Sequence, residues 1–223
     1  MRSPIIGLAK ASHFGPTLIV TLASFFIAEL YWPLASSVLI ALAIFSGQLI
    51  VGWSNDLIDY KDDLAHQRLK KPLVAGLISI PFLRSALTLV IPIALLLNLS
   101  GPLGLTAGGL SLFTIGWAIA YNLYFKFNLF SPLPYAIAFG LLPSLIAMSA
   151  GEIPPPWMWT TGALFGCAAH FINVIKDMEQ DQASGIRGLP QRCGSKVSLV
   201  VAVSLLALTA AIVLFSLPLQ LSQ

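Results

Sequence analysis

The chain has 223 residues, of which 57% are hydrophobic and only 9% charged, with a mean hydropathy of +0.86. A soluble domain carries about 25% charged residues, so this composition excludes a soluble globular protein and leaves an integral membrane protein, expected as one membrane-embedded domain over 1–223. The net charge of +3 is spread over loops, which argues against nucleic-acid binding, and Cys167 and Cys193 lack metal-ligand spacing and read as free thiols.

In chain order, the N-terminus carries Arg2 and Lys10, but Pro4 and Gly7 break any compact apolar run. With no small-residue cleavage site after the first long apolar stretch, a cleaved signal peptide is not expected. His13 precedes that stretch and reads as an interfacial histidine. Crossing a bilayer takes about 20 apolar residues. Stretches of that order run over 14–32, 34–54, 78–99, 102–125, 132–150, 157–175 and 196–217. Pro33, Ser100-Gly101-Pro102, Ser131-Pro132 and Pro154-Pro155-Pro156 punctuate them. Backbone in lipid must satisfy its own hydrogen bonds and no period-2 alternation supports a barrel, so the expectation is all-α: a bundle of about seven transmembrane helices with a polar cavity on the cytoplasmic side. Gly108-Gly109, Gly140 and Gly162-x-x-x-Gly166 are read as sites of close helix packing.

Threading these stretches with the N-terminus inside puts Arg2, Lys10, Lys61, Arg68, Lys70, Lys71, Lys126, Lys176, Arg187, Arg192 and Lys196 on one side. The opposite loops, near 33, 98–102 and 150–156, contain no Lys or Arg. That asymmetry makes the basic side cytoplasmic, and a bacterial cell membrane is the expected location. Arg84 lies near the cytoplasmic end of its span, where it snorkels or faces a polar cavity.

Seven of the nine Asp and Glu residues fall in two clusters on that cytoplasmic side, each directly after an apolar stretch. The first is Asn55-Asp56-Leu57-Ile58-Asp59-Tyr60-Lys61-Asp62-Asp63 and the second Asn173-Val174-Ile175-Lys176-Asp177-Met178-Glu179-Gln180-Asp181. If the helix continues through 55–63, Asp56, Asp59 and Asp63 share a face with Asn55 beside them. In the second cluster Asp177 and Asp181 stand four apart, and Asn173 and His170 are expected to extend their face into the membrane. An Asp at the bilayer centre costs roughly 2.5–3.5 kcal/mol, so these carboxylates need a water-filled cavity or bound cations. Hard oxygen donors in this number suit Mg²⁺, which takes one or two carboxylates plus substrate phosphate. Arg68, Lys71 and Lys126 stand where they can neutralise a diphosphate. Hydrated cytoplasmic loops are the bland alternative. A cation transporter is another, opposed by mid-span regions almost devoid of ionisable residues.

Together these residues resemble the UbiA superfamily of intramembrane prenyltransferases over about residues 10–196. Asn55, Asp56, Asp59 and Asp63 match its NDxxDxxxD motif, and Arg68 to Gly76 resembles its following basic RPL-x-x-G segment, with Lys71 in place of Arg. Tyr121 to Lys126 resembles its Tyr/Lys motif with one extra residue of spacing, and Asp177 to Arg187 its Asp-x-x-x-Asp and Gly-x-Arg segment. The resemblance implies Mg²⁺ held by Asp56, Asp59, Asp63, Asp177 and Asp181. It implies that Asn55 and Asn173 assist those carboxylates and count among the substrate-binding residues, and that Arg68, Lys71 and Lys126 bind the diphosphate. Asp56, Asp59, Asp177, Tyr121 and Lys126 are the catalytic residues it implies, Tyr121 steering the leaving group or the allylic cation. The activity implied is Mg²⁺-dependent transfer of a prenyl group from a prenyl diphosphate to an aromatic or other lipophilic acceptor within the bilayer. Family members have about nine spans, so the last pair would be lacking here. That leaves the bundle wall to lipid, to a second copy of the chain or to a partner chain, and keeps open an inactive or regulatory protein on the same scaffold.

Overall fold

The computed structural model describes residues 4–221, and every regular element among them is a helix. They are α1 (Pro4–Ala11), α2 (Phe14–Ala28), α3 (Leu34–Ala65), α4 (Ile80–Ser100), α5 (Gly104–Leu123), α6 (Leu133–Ser149), α7 (Pro156–Ile175), α8 (Met178–Ala183), α9 (Leu189–Cys193) and α10 (Ser195–Leu221), with a 3-10 turn at Phe125–Phe127. Each expected apolar stretch folds as a helix. By length and composition, α3, α4, α5, α7 and α10 can each cross a membrane. α1 and α2 are long and apolar enough only when taken together, as a pair bent by 68° at the break between them, and α6 is a shorter apolar helix of 17 residues. Prolines set several starts, because a residue with no backbone N–H costs nothing where that group has no helical partner: Pro33 and Pro155 precede α3 and α7, and Pro81 and Pro134 lie in the first turns of α4 and α6.

The chain forms two compact units, Met1–Ile119 and Ala120–Gln223. In the first, α3 packs against α2 and α4, and α1 lies on α3. Its core joins Ala11, Ile50, Trp53, Leu83, Val90 and Ala94 to two loop residues, Leu73 and Ile78. The Trp53 indole N–H donates to the Leu8 carbonyl at 3.0 Å, fixing α1 to α3. Gly52 makes that approach feasible, since a Cβ there would lie 2.8 Å from the Ser12 backbone. Gly108 of α5 abuts the Asn98 carbonyl of α4 in the same way. In the second unit α7 packs against α6 and α10. Gly162 and Gly166 bring α7 onto the Phe139 and Tyr135 carbonyls of α6, as the small-residue spacing predicts. Large apolar side chains such as Phe26, Leu89, Leu199 and Phe215 stay exposed, as lipid-facing positions require.

Candidate active site

The first acidic motif lies on the last turns of α3, which runs on to Ala65 and so does align Asp56, Asp59 and Asp63. Asp56 and Asp63 are buried and Asp59 is half-buried. Asp62 points elsewhere, 3.2 Å from His66. After α3 the chain doubles back. Gln67 takes a left-handed conformation, φ 51°, and Gly76 another, φ 64°. Between them the Lys71 and Pro72 carbonyls accept from the N–H groups of Ala75 and Leu77 at 2.8 and 2.9 Å. With Leu73 and Ile78 sunk in the core, this loop lays Lys71 over the carboxylates. Lys71 Nζ donates to Asp56 Oδ1 at 2.9 Å and lies 3.8 Å from Asp63 Oδ2. Arg68 approaches Asp63 Oδ1 at 3.3 Å. Burial pulls the Lys71 ammonium down, but Asp56, through charge and hydrogen bond, and then Asp63 and Asp59 outweigh it, so its pKa sits above the ordinary lysine value and it stays charged. Asn55 meets His13, its Nδ2 3.4 Å from the imidazole Nε2, so the histidine at the break between α1 and α2 does reach the motif.

The second motif departs from the expected geometry. α7 ends at Ile175, and Asp177 precedes the separate short helix α8 with φ −113°. His170 and Asn173 therefore sit on α7 while Asp181 sits on α8, and the four residues do not form one continuous helical face. The N–H of Asp177 turns back to the Val174 carbonyl at 3.1 Å, which closes α7, and the Asp181 N–H donates to the Asp177 carbonyl at 2.9 Å, which opens α8. Asp181 Oδ2 accepts from the amide Nε2 of buried Gln191 at 3.0 Å. Tyr121 and Lys126 also part company structurally: α5 stops at Leu123, and Lys126 is buried in the 3-10 turn with Nζ 5.2 Å from the Phe127 ring centroid. Tyr121 packs edge-on to Tyr135 and His170, ring centroids 5.2 and 5.4 Å apart. Phe139 and Phe165 continue this aromatic group.

Sequence reasoning missed Gln191, Ser131 and Tyr135. Ser131 Oγ accepts from the Leu189 N–H at 2.9 Å and bonds His170 Nε2 at 3.0 Å, with Ser131 and His170 both fully buried. Tyr135 hydrogen-bonds Asn173. Ser131 stood in plain view as punctuation before Pro132; no charge or spacing marks Gln191.

The donor set fits a hard divalent ion. Asp56 Oδ2 is buried with no hydrogen-bond partner, an acceptor whose lone pairs a cation satisfies. Among the described residues no three His, Cys, Asp or Glu gather closely enough to hold a metal by themselves.

The chain matches the model of the UbiA prenyltransferase family over residues 17–222. Two solved structures share its fold. One is a UbiA homolog from Archaeoglobus fulgidus bound to Cd²⁺, with a TM-score of 0.73 and 16% identity, covering 94% of this chain and 79% of that one. The other is the apo structure of a UbiA homolog from Aeropyrum pernix K1, with a TM-score of 0.70 and 18% identity, covering 95% and 78%. No curated protein matches.

Proposed function

The chain belongs to the UbiA prenyltransferase family, and on that premise we propose that it transfers a prenyl group from a prenyl diphosphate to an aromatic or other lipophilic acceptor, with Mg²⁺ as cofactor. Family and apolar helices together make it an integral membrane protein of the intramembrane prenyltransferase class. The observation that carries the reading is the meeting of Asp56, Asp63 and Lys71 at the end of a membrane helix, with one Asp56 oxygen buried and unpartnered. Binding of Cd²⁺ by the Archaeoglobus fulgidus homolog is consistent with a divalent ion here.

Asp56, Asp59, Asp63, Asp177 and Asp181 would hold the ion, with Asn55 and Asn173 beside them. When bound, Mg²⁺ supplies positive charge to the diphosphate oxygens. Arg68, Lys71 and Lys126 bind the same diphosphate. Lys71 does so as a point charge that three rotatable donors can redirect, where an arginine would give a planar fork. The allylic C–O bond breaks and its electron pair leaves with the diphosphate, whose growing charge these cations stabilise. Tyr121, with Tyr135 and the neighbouring rings, offers π-faces to the allylic cation and excludes water from it. The acceptor's electron pair then forms the new bond to the prenyl carbon, and the acceptor releases a proton. The N-terminus and both acidic motifs lie on the cytoplasmic side of a bacterial cell membrane in this reading, as the one-sided Lys and Arg distribution supports.

The test is purified protein incubated with Mg²⁺, labelled prenyl diphosphates of several lengths and a panel of acceptors. Asp56→Asn and Asp177→Asn should each lower turnover at least about 10²-fold, the scale of losing one electrostatic contact to developing charge, with the protein still folded. Full turnover in both variants would sink the metal role.

A further inference from the structure

We propose that Gln191 is a positioning residue for Asp181: a neutral amide, itself held rigidly, that sets the orientation of this carboxylate for the divalent ion. The proposal rests on the reading of Asp181 as a metal-holding carboxylate. Gln191 Nε2 stands 3.0 Å from Asp181 Oδ2. Only the amide nitrogen can donate there, since the flipped amide would set two acceptors against each other. The donor adds no charge. It occupies a lone pair of Oδ2 and fixes the carboxylate rotamer without contributing a cation that competes with the metal.

A positioning residue must itself be immobile, and the chain around Gln191 is tied by three hydrogen bonds. The Leu189 N–H donates to Ser131 Oγ at 2.9 Å, and Ser131 is bonded in turn to His170 of α7 at 3.0 Å. Gln182 Nε2 of α8 donates to the Gln191 carbonyl at 2.9 Å. Ser198 Oγ of α10 donates to the Pro190 carbonyl at 3.1 Å. Gly188 closes the other side of the amide, because a Cβ there would stand 2.7 Å from Gln191 Oε1 and 2.8 Å from Ser131 Oγ. α9 is too short to be stable by its own hydrogen bonds, so these ties to α7, α8 and α10 give it its place. Through Gln191 they also link the rotamer of Asp181 on α8 to α7 and α10 of the same unit. Outer partners of this kind orient the groups that hold a metal and tune its affinity.

The test is Mn²⁺ binding to the purified full chain, followed by the electron paramagnetic resonance of free Mn²⁺, in wild type, Gln191→Met and Asp181→Asn. Methionine keeps the length of the side chain and removes the donor. We expect Gln191→Met to weaken Mn²⁺ binding about 10–100-fold, the range for loss of such an outer partner, with an unchanged unfolding temperature when no metal is added. Turnover should return toward the wild-type kcat at saturating Mg²⁺, a recovery that general loosening of the fold would not give. Should Gln191→Met fail to fold, Gln191→Ala, which adds no bulk beside Gly188, carries the same expectation. Mn²⁺ binding equal to wild type in the Gln191 variant, with Asp181→Asn impaired, overturns the positioning role alone. A wild type that binds no Mn²⁺, or Asp181→Asn that binds as wild type does, overturns the reading of Asp181 and the proposal with it.

Discussion

The two acidic motifs look alike as strings of Asp at helical intervals, yet their carboxylates are anchored by different physics. In the first, buried Asp56 and Asp63 meet cations from the following loop, Lys71 at 2.9 and 3.8 Å and Arg68 at 3.3 Å. In the second, Asp181 meets the neutral amide of Gln191, at the end of a network running through Ser131 and His170. A buried ion pair is strong only as a pair, and removing one member strands the other in a medium that solvates it poorly. A hydrogen-bond network divides the same task among contacts worth about 1 kcal/mol each. The first motif should therefore fail abruptly when one residue changes, and the second by degrees.

Lys71→Met is the largest expected effect on stability. It leaves Asp56 with a buried charge and a second oxygen that already lacks a partner. Loss of one member of a buried pair costs about 3–5 kcal/mol, and the lower end applies because the Lys71 side chain keeps 20% of its exposure. Thermal unfolding in detergent measures this. Adding Asp56→Asn should recover most of the loss, because the stranded charge is then gone. A Lys71→Met protein as stable as wild type would break the contrast between the motifs at its strongest point. Next comes Ser131→Ala, which removes the acceptor of the Leu189 N–H and the partner of His170 Nε2. Fully buried His170 and the half-buried Leu189 N–H are left unsatisfied, at a cost of about 2 kcal/mol. The same unfolding measurement should also show weakened Mn²⁺ binding, since α9 loses its tie to α7 and Gln191 its fixed seat. A loss as large as that of Lys71→Met would mean the network is as brittle as the ion pair.

How much of this could be read from the chain follows the same division. The helices were legible because long apolar stretches broken at Pro33, Pro102, Pro132 and Pro154 leave little freedom. The face of Asp56, Asp59 and Asp63 was legible because three, four and seven residues return to one side of a helix. The Lys71–Asp56 contact was not, because it depends on Leu73 and Ile78 entering the core and folding the loop back, a tertiary choice the local sequence does not encode. The end of α7 at Ile175 was also hidden: Val174-Ile175-Lys176-Asp177 contains neither Gly nor Pro, and the second motif therefore read as a continuation of one helix. Gln191 and Ser131 are uncharged polar residues in connecting segments, and only the groups they meet give them meaning.

The smallest effects concern the asparagine that leads each motif, and they reverse the contrast. Asn55 of the charge-paired motif is touched by an exposed histidine at 3.4 Å, close to the outer limit of a hydrogen bond. Asn173 of the neutral motif is bonded by half-buried Tyr135, whose ring also lies against His170 with centroids 4.6 Å apart. Tyr135→Phe keeps the ring and removes the hydroxyl, so it should cost about 1 kcal/mol, the net worth of one intramolecular hydrogen bond. His13→Ala should cost about 0.5 kcal/mol, at the low end of that range, because water can replace the imidazole at Asn55. Measured side by side as unfolding temperatures, the tyrosine change should shift the midpoint further. If the histidine change shifts it more, the first motif extends through Asn55 to the break between α1 and α2, and its anchoring no longer rests on the basic loop alone.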